Sequence, residues 1–244
     1  MVLFFFAGHG LVNEFGGYLV TQDSQKHDEG VAMADVLSLA NQSPSDEVVI
    51  VLDCCHSGAL GIIPALQNEQ AHLREGVSVL CASRSSQAAV EKNGGGVFTA
   101  LIGEALEGGA ADIIGNVTVA GVYAFVDQAL GAWDQRPLFK SHVSSLLPLR
   151  KCEPAVKLKI LRLLPIYFLE AKSKLKLDPS YEPTSRKKKI VHAQIFDDLL
   201  KYRDARLLAP IGANSMYEAA MKSKACRLTA LGQFYWKLAS EGNL

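Results

Sequence analysis

Three short runs of consecutive apolar residues constrain the fold of this chain more than any other feature. They are VLFFFAG at 2–8, EVVIVLD at 47–53 and VSVLCAS at 77–83. A strand that is apolar at nearly every position is buried on both faces, which is typical of a parallel sheet between two layers of helices. Stretches with helical spacing, VAMADVLSLANQ at 31–42 and GVFTALIGEALEGG at 96–109, alternate with these runs. The pattern predicts an α/β fold with a mostly parallel sheet and helices on both faces.

Charge divides the chain into two halves of opposite sign. Residues 1–150 contain 7 Lys and Arg against 16 Asp and Glu, a net charge of −9, whereas residues 151–244 contain 18 against 9, a net charge of +9. The α/β pattern ends near residue 148, and the Pro- and Lys-rich stretch KLDPSYEPTSRKKK follows at 176–189. We predict an α/β domain over 1–148, a linker region over 149–189 and a small, mainly helical domain over 190–244.

Composition argues against several classes of protein. The longest apolar runs fall well below the roughly 20 residues that cross a bilayer, and the apolar N-terminus lacks the basic residues and cleavage site of a signal peptide. No CxxC pair occurs among the five cysteines (Cys54, Cys55, Cys81, Cys152 and Cys226), which argues against a disulfide framework and a zinc site. The sequence therefore predicts a cytoplasmic protein with no membrane partner and no metal site.

Two of the apolar runs end in chemically active side chains next to glycine. His9 lies between Gly8 and Gly10 after the first run, and Cys55 follows the second run within DCCHSG at 53–58. Because functional side chains of parallel sheets gather beyond the carboxyl ends of the strands, we expect His9 and Cys55 to meet. An imidazole beside a thiol can take its proton for attack on a carbonyl and later protonate the leaving amine. The two residues are a candidate catalytic dyad.

The sequence also predicts roles for the residues around this dyad. The backbone amides of Gly10 and Cys55 are candidates for an oxyanion hole, which stabilises the charge that develops on an attacked carbonyl. Cys54 should point away from Cys55 and pack in the core, and His56 should lie at the rim of the site. The alternatives are a buried structural thiol for Cys55 and a capping histidine at a strand end for His9.

Five segments, in order along the chain, resemble the caspase-like cysteine peptidases. They are FFFAGHG at 4–10, DCCHSG at 53–58, VSVLCASRSSQAAVE at 77–91, GGGVFTALIGEAL at 94–106 and QRPLF at 135–139. The cysteine motif is similar to that of the metacaspases and bacterial caspase-like proteins, and differs from the motif of animal caspases. The resemblance covers about residues 2–140 and implies a caspase-like sheet and endopeptidase activity.

The resemblance also implies a substrate. The position of Asp53, two residues before Cys55, lines the primary specificity pocket of metacaspases, which implies cleavage of polypeptides after Arg or Lys. A carboxylate in a pocket selects a cation through a charge-assisted hydrogen bond. Ser83 and Gln87 follow the third run, where the family shapes its substrate groove. Loop hydrogen bonding is the alternative for Asp53, and a surface turn is the alternative for Ser83 and Gln87.

Two departures from the family pattern affect these expectations. Caspase-like domains place roughly two strands before the histidine strand, whereas this sequence begins on that strand, so we expect a partial domain: either the sequence is a fragment of a longer product, or the sheet has an exposed edge. Many metacaspases are activated by calcium, yet no matching acidic cluster is present in the sequence. We therefore predict no cofactor, and calcium activation has no support.

The C-terminal half offers a second function. The tail LTALGQFYWKLASEGNL at 228–244 resembles the ending of small winged-helix modules. Such a module with a charge of +9 is a candidate for binding nucleic acid through phosphate contacts, and a protein adaptor is the alternative. The leading interpretation is a cysteine endopeptidase with a Cys–His dyad. The other two are a catalytically incompetent caspase-like scaffold and a nucleic-acid-binding regulator that acts through the C-terminal module.

Overall fold

The computed structural model describes residues 1–54, 72–82, 91–92, 95–130 and 137–244. They form two compact units, which we call unit 1 (Met1–Ala111 and Asn116–Cys152) and unit 2 (Asp112–Gly115 and Glu153–Leu244). Within these described ranges, no helix has both the length and the apolar composition needed to cross a membrane.

Both units combine strands with helices along the chain. Unit 1 contains, in chain order, β1 (Val2–Ala7), β2 (Gly10–Asn13), β3 (Gly16–Leu19), β4 (Val31–Ala32), α1 (Met33–Gln42), β5 (Val48–Asp53), β6 (Val77–Cys81), β7 (Glu91–Lys92), β8 (Gly95–Gly96), α2 (Val97–Glu104), a π-helical turn (Ala105–Gly109), β9 (Asn116–Val117), α3 (Val119–Leu130), β10 (Leu138–His142) and β11 (Arg150–Lys151). Unit 2 contains α4 (Leu158–Leu161), α5 (Leu164–Tyr167), β12 (Lys174–Lys176), α6 (Ile190–Asp204), β13 (Leu208–Ile211), α7 (Met216–Met221), β14 (Ala225–Leu228) and α8 (Ala230–Ser240).

A four-stranded sheet forms the centre of unit 1, in the order β1, β5, β6, β10. Strands β1, β5 and β6 run parallel, and β10 pairs antiparallel with β6. Every residue of β5 and β6 is buried, as the apolar runs predicted. The predicted α/β fold with a mostly parallel sheet is confirmed.

Helices cover both faces of this sheet because successive residues of a strand point to opposite sides. Ile50 and Leu52 of β5 share a buried cluster with Met33 and other apolar residues of α1. The alternate residues Val49 and Val51 belong to a second cluster, which contains the buried residues of α2 and α3. The side to which each residue of β5 points thus decides which helical layer it contacts.

Strand β1 lies at the edge of the sheet formed by the described residues, and it is less buried than its composition predicted. Phe4 and Phe6 pack against the cluster that contains α1. Leu3 and Phe5 point to the other side and are 52% and 45% exposed. They line an apolar groove of about 440 Å³, to which α2 and α3 also contribute. The outer side of β1 thus presents apolar area along this groove.

Unit 2 has one hydrophobic core between its helices and a small sheet. Phe196, Leu199 and Tyr202 of α6 are buried there together with Tyr235 of α8. The hydroxyl of Tyr202 donates a hydrogen bond to the backbone oxygen of Ile160. Burial of this phenol removes it from water and raises its pKa above the ordinary value for tyrosine.

The core of unit 2 extends into the region that the sequence predicted to be a linker. Six residues between 153 and 177 are buried in it: Val156, Ile160, Leu161, Leu164, Phe168 and Leu177. Strands β12, β14 and β13 form an antiparallel sheet in that order, although the sequence pattern predicted no strand there. These strands have only three or four residues, too few for a clear pattern. The winged-helix likeness stays a prediction.

The apolar area along β1 should make the chain self-associate at high concentration, because Leu3 and Phe5 are exposed beside an apolar groove. Leu3→Lys places a charge in this area and should weaken the association, measured by sedimentation velocity. Leu39→Lys is the matched control, since Leu39 is a 70% exposed residue of α1. An equal decrease in both variants would show that net charge, and not the apolar area along β1, controls association.

Candidate active site

The carboxyl ends of β1 and β5 meet at one edge of the central sheet. Ala7, the last residue of β1, lies opposite Asp53, the last residue of β5. The backbone amide of Gly8 donates a hydrogen bond to the Asp53 carbonyl at 3.0 Å. Strand β6 ends at the same edge, where the amide of Ala82 donates to the carbonyl of Leu52 at 2.9 Å. The three strand ends that carry the predicted site residues therefore lie side by side.

His9 is held at this edge by a hairpin. Its backbone oxygen accepts a hydrogen bond from the Val20 amide at 3.0 Å, which ties the residue to the end of β3. The turn between β2 and β3 is closed by the Asn13 side-chain oxygen, which accepts from the amides of Phe15 and Gly16 at 2.8 and 3.2 Å. The backbone of His9 is thus fixed at both ends, by the sheet and by the hairpin, while its side chain is exposed.

The backbone amide of Gly10 points away from this hairpin. Gly10 lies opposite Leu19 in the antiparallel pairing of β2 with β3, next to the hydrogen-bonded position of His9 and Val20. Hydrogen-bonded and non-hydrogen-bonded pairs alternate along an antiparallel ladder, so the amide of Gly10 faces outward from β3. It is therefore available to a group outside the hairpin.

Asp53 is a buried carboxylate that contacts the start of α2. It is 6% exposed, and its Oδ2 accepts hydrogen bonds from the backbone amide of Thr99 at 3.1 Å and from the Thr99 hydroxyl at 2.5 Å. Helix α2 begins after Gly96, which has no side chain to cap it, so Asp53 supplies the cap from the neighbouring strand. The positive end of the helix dipole stabilises the charged carboxylate at this position.

This contact was not predicted from the sequence, in which the run of glycines before α2 is the one signal that points toward it. Helix α2 follows three glycines at 94–96 instead of a capping residue, so its first amides need an acceptor from elsewhere. A Cβ atom on Gly96 would lie 2.2 Å from Asp53 Oδ2, so glycine is required for the carboxylate to approach. Asp53 thus bonds to a helix and not within a loop, and its role toward a substrate stays a prediction.

Of the remaining predicted site residues, Cys54 is the one that the structure describes. Cys54 is 1% exposed and packs in the cluster that contains α1, as expected for a core residue. Cys55, His56, Ser83 and Gln87 lie outside the described residues. The structure thus brings together His9, Gly10 and Asp53 from the predicted set. In the described parts of the chain, no group of three or more His, Cys, Asp or Glu side chains is placed to hold a metal ion.

A parallel sheet between two helical layers, with a histidine beyond one strand and a cysteine motif after the next, defines a caspase-like domain. The family model of the caspase domain matches residues 1–147, and the chain belongs to this family of cysteine peptidases. Among solved structures, a protein of Geobacter sulfurreducens determined by a structural genomics consortium is similar, with 12% identity and a TM-score of 0.40. The match covers 63% of this chain and 70% of the other. No curated protein matches the chain.

Gly96→Ala should destabilise unit 1, because the new methyl group displaces Asp53 from the start of α2. Loss of hydrogen bonds to a buried charge costs about 2 kcal/mol, which hydrogen exchange of the amides of β5 and α2 would detect by mass spectrometry. Gly103→Ala in the same helix is the control. A Cβ there meets no atom within 4 Å, and alanine should slow exchange through its higher helix propensity, worth up to about 1 kcal/mol. Faster exchange in both variants would contradict this explanation.

Proposed function

We propose that the chain is a cysteine endopeptidase in which Cys55 is the nucleophile and His9 the general base. The observation that carries this proposal is the register of β1 with β5, because it brings the loop of His9 to the strand end that Cys55 follows in sequence. His9 lies two residues after Ala7, and Cys55 lies two residues after Asp53. Neighbouring parallel strands that end in a base and a thiol are suited to nucleophilic catalysis.

The proposed reaction has two steps. In the first, His9 removes the thiol proton and Cys55 Sγ forms a bond with the carbonyl carbon of the scissile peptide. The C–N bond then breaks as the imidazolium returns the proton to the leaving amine, which leaves a thioester on Cys55. In the second, His9 removes a proton from water and the hydroxide attacks the thioester. The C–S bond then breaks, Sγ departs as a thiolate that takes the proton from the imidazolium, and the carboxylic acid product is released.

The backbone supplies the proposed oxyanion hole. The amide of Gly10 faces away from β3, as the hydrogen bond between His9 and Val20 requires, and is a donor for the oxygen of the tetrahedral intermediate. We assign the second donor to the amide of Cys55. The absence of a side chain on Gly8 and Gly10 lets a peptide backbone approach this part of the loop.

We assign selection of Arg or Lys before the scissile bond to Asp53, within a groove that Ser83 and Gln87 extend. Thr99 occupies Oδ2 of Asp53, and among the described residues no partner is seen for Oδ1. A cationic side chain could therefore pair with Oδ1 while Oδ2 stays bound to α2. In this arrangement the helix fixes the orientation of the carboxylate, which favours one geometry of the substrate cation.

Replacing either member of the dyad should abolish activity, whereas Cys54→Ala should leave most of it. We expect Cys55→Ala and His9→Ala each to lower turnover of a fluorogenic peptide by at least about 100-fold, the range expected for loss of an acid–base group or nucleophile. Cys54 is 1% exposed and packs in the cluster that contains α1. Alkylation by iodoacetamide gives a second measurement, since loss of His9 should slow labelling of Cys55. An inactive Cys54→Ala beside an active Cys55→Ala would overturn the assignment.

The specificity role of Asp53 can be separated from its structural role. Asp53→Asn keeps an oxygen for Thr99 but removes the charge, and should lower kcat/KM for peptides ending in Arg or Lys by roughly tenfold or more. Thr99→Val keeps the charge and removes one hydrogen bond, so it should lower stability more than specificity. Peptides ending in Arg, Lys and Asp would be compared in each variant. Unchanged preference in Asp53→Asn would confine Asp53 to capping α2.

A further inference from the structure

The outer face of the sheet in unit 2 carries a group of basic side chains. Lys174 and Lys176 of β12 lie on either side of the half-buried Leu175, and Arg227 of β14 lies between two buried residues. All three cations are exposed, and we call them the basic face. The residues on the inner side of the same strands, among them Cys226 and Leu228, pack in the core of unit 2. The period of two along each strand therefore directs the cations to one surface.

Two of these cations lie directly opposite each other. The register of β12 with β14 pairs Lys174 with Arg227, and like charges at opposite positions of an antiparallel pair destabilise a sheet. Nothing in the described residues relieves this repulsion, since the ion pairs of unit 2 involve other cations: Lys157, Lys201, Arg203, Lys222 and Lys237. An anion bound between Lys174 and Arg227 would relieve it.

Protection of a sheet edge does not account for the basic face. Edge strands often carry lysines that prevent pairing with another chain, and β12 is an edge strand. Arg227, however, lies on β14, the central strand of the three, where pairing is already complete. The residues beside it on the same face, Ala209 and Ala225, are small and leave the cations accessible.

We propose that the basic face binds nucleic acid through its phosphates. Cations at alternate positions of a strand are about 6.8 Å apart, and each strand of B-DNA presents one phosphate for about every 3.4 Å of helix axis, so the three cations can contact neighbouring phosphates. The outer side of the sheet offers no helix or aromatic side chain among these residues that would read bases, so the binding is independent of sequence. The net charge of +9 over residues 151–244 adds a general attraction to the same partner.

Fluorescence anisotropy of the full chain with a labelled 20-base-pair duplex tests this proposal. Three phosphate contacts should give a slope of about −3 in log affinity against log salt concentration. Lys174→Glu should weaken binding at least tenfold and make the slope shallower by about 1. The same variant places a carboxylate opposite Arg227, so it should raise the melting temperature of unit 2. If Lys174→Glu binds the duplex more weakly while its melting temperature rises, the loss of affinity comes from the lost phosphate contact and not from misfolding.

Lys157→Glu is the matched control, because it makes the same charge change in unit 2 on a side chain that is 63% exposed and paired with Glu153. It should leave the affinity within about twofold of the unmodified chain. Equal losses in Lys174→Glu and Lys157→Glu would overturn the proposal in favour of a general charge effect. Binding of polyglutamate or of anionic vesicles as tight as that of the duplex, with the same dependence on Lys174, would overturn nucleic acid as the partner.

Discussion

The parallel pairing of β1 with β5 is the interaction on which the candidate active site depends. Ala7 lies opposite Asp53, and the amide of Gly8 makes the last backbone hydrogen bond of this ladder immediately before His9. A shift of one residue in this register would turn the side chains of β1 to the opposite faces. It would also move His9 along the edge by one residue, about 3.3 Å. The apolar residues of β1 and β5 thus fix the position of a polar residue that contributes nothing to the core.

The alternation along β5 explains why consecutive residues at the strand end have different environments. Val49, Val51 and Asp53 point toward the layer of α2 and α3, so the carboxylate reaches Thr99 at the start of α2. Ile50, Leu52 and Cys54 point toward the layer of α1, so this thiol is buried among apolar side chains. A buried carboxylate is stable only when hydrogen-bonded, and the unpaired amides of α2 meet that need. Asp53 at the strand end and the first turn of α2 therefore each provide the hydrogen-bond partner that the other needs.

The sequence predicted the central sheet well because its signal is local. Runs such as VVIVL at 48–52 are buried on both faces and carry no competing pattern. The position of His9 followed from the same runs, because parallel strands align their carboxyl ends. The contact between Asp53 and Thr99 could not be derived in this way, since it joins residues far apart in sequence. The sheet of unit 2 was missed because β12 alternates Lys with Leu in a segment that resembles an exposed linker.

The exposed strands of the two units differ in the chemistry of their exposed side chains. In unit 2, Lys174 and Lys176 keep the edge of β12 hydrated, and they share an exposed, charged face with Arg227. In unit 1, Leu3 and Phe5 expose apolar area along β1 beside a groove that is itself apolar. Burial of such area is favourable by roughly 25 cal/mol per Å², so contact of β1 with another apolar segment lowers its free energy. The exposed strand of unit 2 is therefore charged, whereas the exposed strand of unit 1 is apolar.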